Sequence, residues 1–153
     1  MSTPSVAVIV PTLDSAATLG AVLRAVAQLD WPREDMDLIV VDGGSTDDTL
    51  GVAREHNARL FVRAGTDADF RRNFAAGQTD ALTLFFLDPR CVPPRDWVRT
   101  SLHHFELAQV AAVGVRPLPP SDADASWVQR AWAQRCLARP ADAPARRLDA
   151  RML

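Results

Sequence analysis

The sequence predicts an α/β domain with a mainly parallel sheet flanked by helices. Three observations carry the prediction. Val6 to Val10 is an unbroken apolar run rich in β-branched residues, as expected of a strand buried on both faces. Leu38 to Val41 repeats that pattern, and Leu82 to Leu87 is a further strongly apolar segment. Segments between these runs place apolar residues three and four apart, so strands alternate with helices. That alternation implies parallel strands joined by right-handed crossovers.

Pro11-Thr12-Leu13-Asp14-Ser15 breaks the first run, and Asp14 or Ser15 can cap the next segment. Leu19, Val22, Leu23 and Val26 recur at helical spacing and predict an amphipathic helix over 16–29, ended by Trp31-Pro32. The second run ends at Asp42, then Gly43-Gly44 and a Ser/Thr/Asp cluster. Ser45, with Asp48 three residues on, fits a capping pattern for a helix over about 47–56. Asp47 and Asp48 would then lie in its first turn, where the helix dipole favours acids. Arg59 to Val62 reads as a short third strand, and Phe70 with Phe74 marks a third helix near 69–76. The fourth strand, 82–87, stops at Asp88-Pro89. Pro93-Pro94 opens another helix, with Val98, Leu102 and Phe105 on one face. Val110 to Val115 reads as a fifth strand.

Beyond the breaker Leu118-Pro119-Pro120-Ser121, Trp127, Ala131 and Trp132 suggest a last helix ending near Leu137. From Arg139 onward the chain has too little apolar content to fold by itself. The expected organisation is a core over 1–118, a C-terminal helix over 119–138 and a flexible tail over 139–153.

Composition removes several function classes. A net charge of -2 argues against a general nucleic-acid binder. All 17 basic residues are arginine, so no lysine is available for a Schiff base, a Walker-type phosphate contact or a phospho-acceptor receiver. Cys91 and Cys136 lack ligand spacing and read as reduced thiols of a cytosolic protein. No apolar run approaches the ~18 residues of a membrane span, so a cytoplasmic location is expected, with peripheral attachment to a membrane left open. His56, His103 and His104 have no carboxylates at metal spacing and read as surface or partly buried residues. Trp97 and Phe105 read as core or interface residues. The tryptophans of the last helix can form a protein–protein surface, for a homo-oligomer or another partner.

The residues able to do chemistry cluster at strand ends. Pro11, Thr12 and Asp14 follow the first strand, Asp42 the second, and Asp88 the fourth; Arg71, Arg72 and Asn73 lie between the third and fourth. In open α/β sheets ligands bind at that carboxyl edge. Acids and amides can hydrogen-bond a base and ribose, and arginines can hold a diphosphate in bidentate fashion. No glycine fingerprint comes after the first strand, which argues against a nicotinamide or flavin dinucleotide.

Together, Val6-Ala-Val-Ile-Val-Pro-Thr12, Leu38-Ile-Val-Val-Asp42-Gly-Gly-Ser-Thr-Asp-Asp-Thr49, Arg72-Asn73 and Phe85-Phe-Leu-Asp88 resemble the family-2 glycosyltransferases of the GT-A fold, over roughly residues 5–118. The resemblance implies a nucleotide-diphosphate sugar as donor. By it, Asp42 binds the base, Pro11 and Thr12 lie beside base and ribose, Arg72 and Asn73 line the nucleotide pocket, and Asp88 contacts ribose. It also implies a divalent metal, Mg2+ or Mn2+, on Asp88, neutralising charge on the departing diphosphate. Two departures stand out. The second acid of the family's Asp-x-Asp motif is Arg90, which cannot ligate a metal. Arg90, with Arg71, can instead bind diphosphate oxygens, or it marks a site without chemistry. The family also continues beyond residue 118 into an acceptor-binding half that supplies the base of inverting enzymes, whereas 119–153 holds no recognisable catalytic motif. Two readings stand: transfer of a sugar to an acceptor hydroxyl, or a catalytically degenerate GT-A domain serving as a binding or assembly subunit. An unrelated flavodoxin-like regulatory domain is a third, weakened by the missing lysine.

Overall fold

A computed structural model describes residues 5–106 and 110–114. Every element lies within the compact unit Met1–Ala111. In chain order these are β1 (Val6–Thr12), α1 (Ala16–Ala27), a single 3-10 turn (Arg33–Asp35), β2 (Met36–Asp42), α2 (Thr49–Glu55), β3 (Arg59–Val62), α3 (Ala68–Ala76), β4 (Thr83–Phe86) and α4 (Trp97–His104). The four strands are all parallel, in the order β3-β2-β1-β4. The predicted mainly parallel sheet with flanking helices is the one observed.

The sheet is covered on both faces, which explains its continuous apolar strands. Val6, Val8 and Val10 of β1 point, with Leu38 and Val40 of β2, to a core completed by Leu19, Val22, Leu23 and Val26 of α1, Ala53 of α2, and Trp97 and Val98 of α4. The alternate residues Ile9, Ile39 and Val41 face the other way, against Ala75 and Phe74 of α3. This is the period-two alternation of a pleated strand, with apolar residues at both phases. Burying one such side chain stabilises the fold by roughly 1.5–3 kcal/mol. Trp97 meets Phe85 edge-on at 5.0 Å between ring centroids, so it belongs to the core.

The strand order reverses between β1 and β4, and Pro11 shows why the pairing of these two strands ends early. Ile9 pairs with Phe86, and the Leu87 amide donates to the Ile9 carbonyl at 2.9 Å. The next ladder bond would need an amide from Pro11, which proline lacks. The β1–β4 ladder therefore stops, while β1 and β2 stay paired as far as Thr12 and Asp42.

Several expectations need correction. Residues 110–114 form no strand: none of them joins a ladder along β4, and an apolar run without a hydrogen-bonding neighbour is not a strand. Pro93 and Pro94 do not open α4, which starts at Trp97 after Asp96; the prolines belong to the irregular segment before it. α2 begins at Thr49, so Asp47 and Asp48 precede it. The expected C-terminal helix and tail, 119–153, with Trp127, Trp132 and Cys136, lie outside the described residues. No helix among the described residues is long and apolar enough to cross a membrane.

Candidate functional site

The carboxyl ends of β1 and β2 carry a single hydrogen-bonded assembly centred on Asp42. Its carboxylate is fully buried. Oδ1 accepts from the Thr12 hydroxyl at 3.0 Å and from the Ser45 hydroxyl. Oδ2 accepts from the Gly44 amide at 2.8 Å and the Ser45 amide at 2.7 Å. Gly44, at φ +98°, supplies the left-handed turn that folds these amides back onto the acid. Burial pushes the Asp42 pKa up, but the bonds from Ser45, Gly44 and Thr12 outweigh it, and the carboxyl titrates below its ordinary range. Four donors fill the carboxylate's acceptor positions, so a ligand N–H can reach Asp42 only by displacing one of them.

The loops after β1 and β2 lock together through exchanged contacts. Asp14 was expected to cap α1. Instead, with φ 45°, its Oδ1 accepts from the Thr46 amide at 2.7 Å, and its own amide donates to Ser45 Oγ at 2.8 Å. The first amide of α1, Ala16, is held by Asp47 of the other loop at 2.9 Å. Asp47 also accepts from the Thr49 amide at 3.0 Å, and Thr49 Oγ1 accepts from the Ser15 amide at 2.8 Å. Ser45 and Asp48 form no capping box, because Ser45 serves Asp42 and Asp48 makes no side-chain cap bond.

Adjacent arginines on α3 have different places, since neighbouring helical positions point about 100° apart. Arg71, expected on a diphosphate, is only 5% exposed. It donates through Nη1 to the Thr66 carbonyl, and its Nε has no partner. Its guanidinium lies against Gly43, where a Cβ would come within 3.0 Å of Arg71 Cζ. Arg71 therefore braces the Gly43 turn from inside. Arg72 is partly exposed and pairs with Asp69 at 2.6 Å. Asn73 is exposed, and Pro11 is buried in β1. Sequence reasoning passed over Arg63, whose amide donates to the Asp42 carbonyl at 2.7 Å and whose guanidinium lies 3.9 Å from the Phe74 ring centroid. Its place directly after β3 was the available signal.

After β4, Asp88 and Arg90 form a fork. Asp88 Oδ1 accepts from the Arg90 amide and Nε, and Oδ2 from Nη2, all at 2.9 Å. The Arg90 guanidinium beside it, outweighing burial and aided by the charge of Arg72, holds the Asp88 carboxyl below its ordinary range. The donor set does not fit the divalent metal that the resemblance implied. Asp88 brings one carboxylate, both of whose oxygens Arg90 occupies, and no three His, Cys, Asp or Glu side chains converge among the described residues. A hard cation there needs accessible anionic oxygen.

The profile of the family described as glycosyl transferase family 2 matches residues 7–148. The chain belongs to glycosyl transferase family 2. It is 28% identical over 117 residues to glycosyltransferase AglE of Haloferax volcanii, covering 72% of this chain and 38% of AglE. Its fold matches Staphylococcus aureus TarS 1-349 in complex with UDP (TM-score 0.60, 22% identity, 77% of this chain, 40% of TarS 1-349). It also matches the mannosyltransferase PcManGT of Pyrobaculum calidifontis in complex with GDP-Man and Mn2+ (TM-score 0.61, 24% identity, 74% of this chain, 35% of PcManGT). The fold is thus the GT-A fold of these glycosyltransferases. The chain spans about two fifths or less of the length of these relatives.

Proposed function

We propose that this family-2 domain binds a nucleotide-diphosphate sugar and serves its transfer to an acceptor hydroxyl. The carrying observation is the Asp42 assembly, a buried, ionised acid at the carboxyl edge beside the point where β1 and β4 part. In this reading Asp42 accepts from the nucleobase, which takes over the position of the Ser45 hydroxyl. Pro11 and Thr12 flank base and ribose, and Arg72 and Asn73 line the pocket. Asp88 accepts from the ribose hydroxyls, and Arg90 holds the diphosphate. Arg71 acts from behind by fixing Gly43. In the transfer, the acceptor oxygen forms a bond to the anomeric carbon as the bond to the diphosphate oxygen breaks, and the leaving electron pair stays on the diphosphate. The hydroxyl proton passes to a general base, a role assigned to none of the residues named here. The family and the names of the relatives give no support to the alternative of a catalytically degenerate assembly subunit.

Calorimetry with UDP, GDP and dTDP and their sugars tests the reading. Heat from one nucleotide, lost in Asp42→Ala and in the more conservative Asp42→Asn, is the expected result. Silence from every nucleotide at millimolar concentration sinks it, and undiminished binding by both variants moves the pocket elsewhere.

A further inference from the structure

Resting on that donor reading, we propose that the domain binds its diphosphate without a divalent cation, Arg90 swinging from Asp88 onto the phosphates and releasing Asp88 to the ribose hydroxyls. Three observations support the exchange. The two carboxylate oxygens where a metal would bind are already satisfied by a permanent cation two residues away. The Arg90 side chain is 76% exposed, and an exposed ion pair of this kind contributes little to stability, so it opens readily. A phosphate offers the guanidinium the same forked geometry with more negative charge.

The exchange also keeps charge balanced. When Arg90 leaves, Asp88 still feels the positive charge of Arg72, and it gains hydroxyl donors in place of the guanidinium. A divalent ion entering instead finds the single Asp88 carboxylate, with no other acids converging on it among the described residues, and meets the positive charge of Arg72, which Coulomb repulsion disfavours. The site is therefore built around an internal cation, and donor and metal do not bind as a unit.

The test titrates UDP, GDP and dTDP, each beside its monophosphate, into the full chain in EDTA and then in excess Mn2+. The expected result is diphosphate binding in EDTA with an affinity that Mn2+ leaves unchanged. Arg90→Ala, whose exposed position spares the fold as checked by circular dichroism, then weakens the diphosphate roughly tenfold, down to the level of the monophosphate. Arg90→Asp, which places a second carboxylate two residues from Asp88, makes binding depend on Mn2+. Binding by the parent chain that requires Mn2+ overturns the proposal, as does an Arg90→Ala variant that holds the diphosphate undiminished. Silence from every nucleotide is a different failure, because it removes the donor reading and this inference with it.

Discussion

Thr12 and Asp42 are Cα partners at the last rung of the β1–β2 ladder, and the Thr12 hydroxyl donates to the Asp42 carboxylate at 3.0 Å. The two loops that shape the carboxyl edge thus start from one shared hydrogen bond. Thr12→Val removes that single donor and is expected to cost about 1.5–3 kcal/mol, the range for a hydrogen bond to a charged group. Asp42→Ala strands the Gly44 and Ser45 amides as well and should cost more. Urea melts of both variants check the ranking; equal losses would mean that the turn amides find other partners.

Stability should fall in acid through the same group. Asp42 and Asp88 both titrate below the ordinary carboxylate range when folded. The unfolded chain therefore binds protons first as pH drops, and the stability these acids contribute is present above about pH 5 and lost progressively below it. Asp42→Asn should flatten the acid limb of a plot of unfolding free energy against pH. An unchanged limb would assign the effect to other carboxylates.

Gly43→Ala drives a methyl group into the Arg71 guanidinium. Arg71 is buried and tied to the Thr66 carbonyl, so it has little room to give. The expected loss is roughly 1–3 kcal/mol, the usual cost of overpacking. Gly43→Ala combined with Arg71→Ala should cost less than the sum of the two single changes, because each removes the other's obstacle. Strict additivity in the double-mutant cycle would argue against the clash.

Asp47 holds the first amide of α1 from the neighbouring loop. Asp47→Ala should speed hydrogen exchange at Ala16 and lower the thermal midpoint, even though residue 47 lies outside both helices. Protection at Ala16 equal to that of the parent chain would show that the cross-loop cap contributes nothing.

Nucleotide binding is expected to weaken in Arg72→Ala and Asn73→Ala while the fold persists, because both side chains are at least partly exposed on α3. Parallel calorimetry and circular dichroism separate the two effects. Full affinity in both variants would exclude α3 from the pocket.

Much of the architecture was legible because it depends on local pattern. Continuous apolar runs marked strands covered on both faces, and the acid ending the second run marked the sheet edge at Asp42. The resemblance over four separated motifs agreed with the family that the match over residues 7–148 then established. The errors were of another kind. Asp14, Ser45 and Asp47 were assigned to their own helices, yet each also makes a bond that spans about thirty residues of sequence. A capping pattern reads only near neighbours, so it could not report that the loop after β2 caps α1.

By itself, then, the sequence determined a parallel sheet with flanking helices and an acidic strand edge, since hydrophobic periodicity selects element type and which faces are buried. Only the tertiary structure decided which arginine is buried and which stays partly exposed. Arg71 and Arg72 are neighbours in the chain, but helical rotation turns one under Gly43 and leaves the other beside Asp69. It also decided that Asp88 is held by Arg90, an ion pair whose geometry no residue spacing specifies, because the turn after β4 brings the guanidinium back onto the carboxylate.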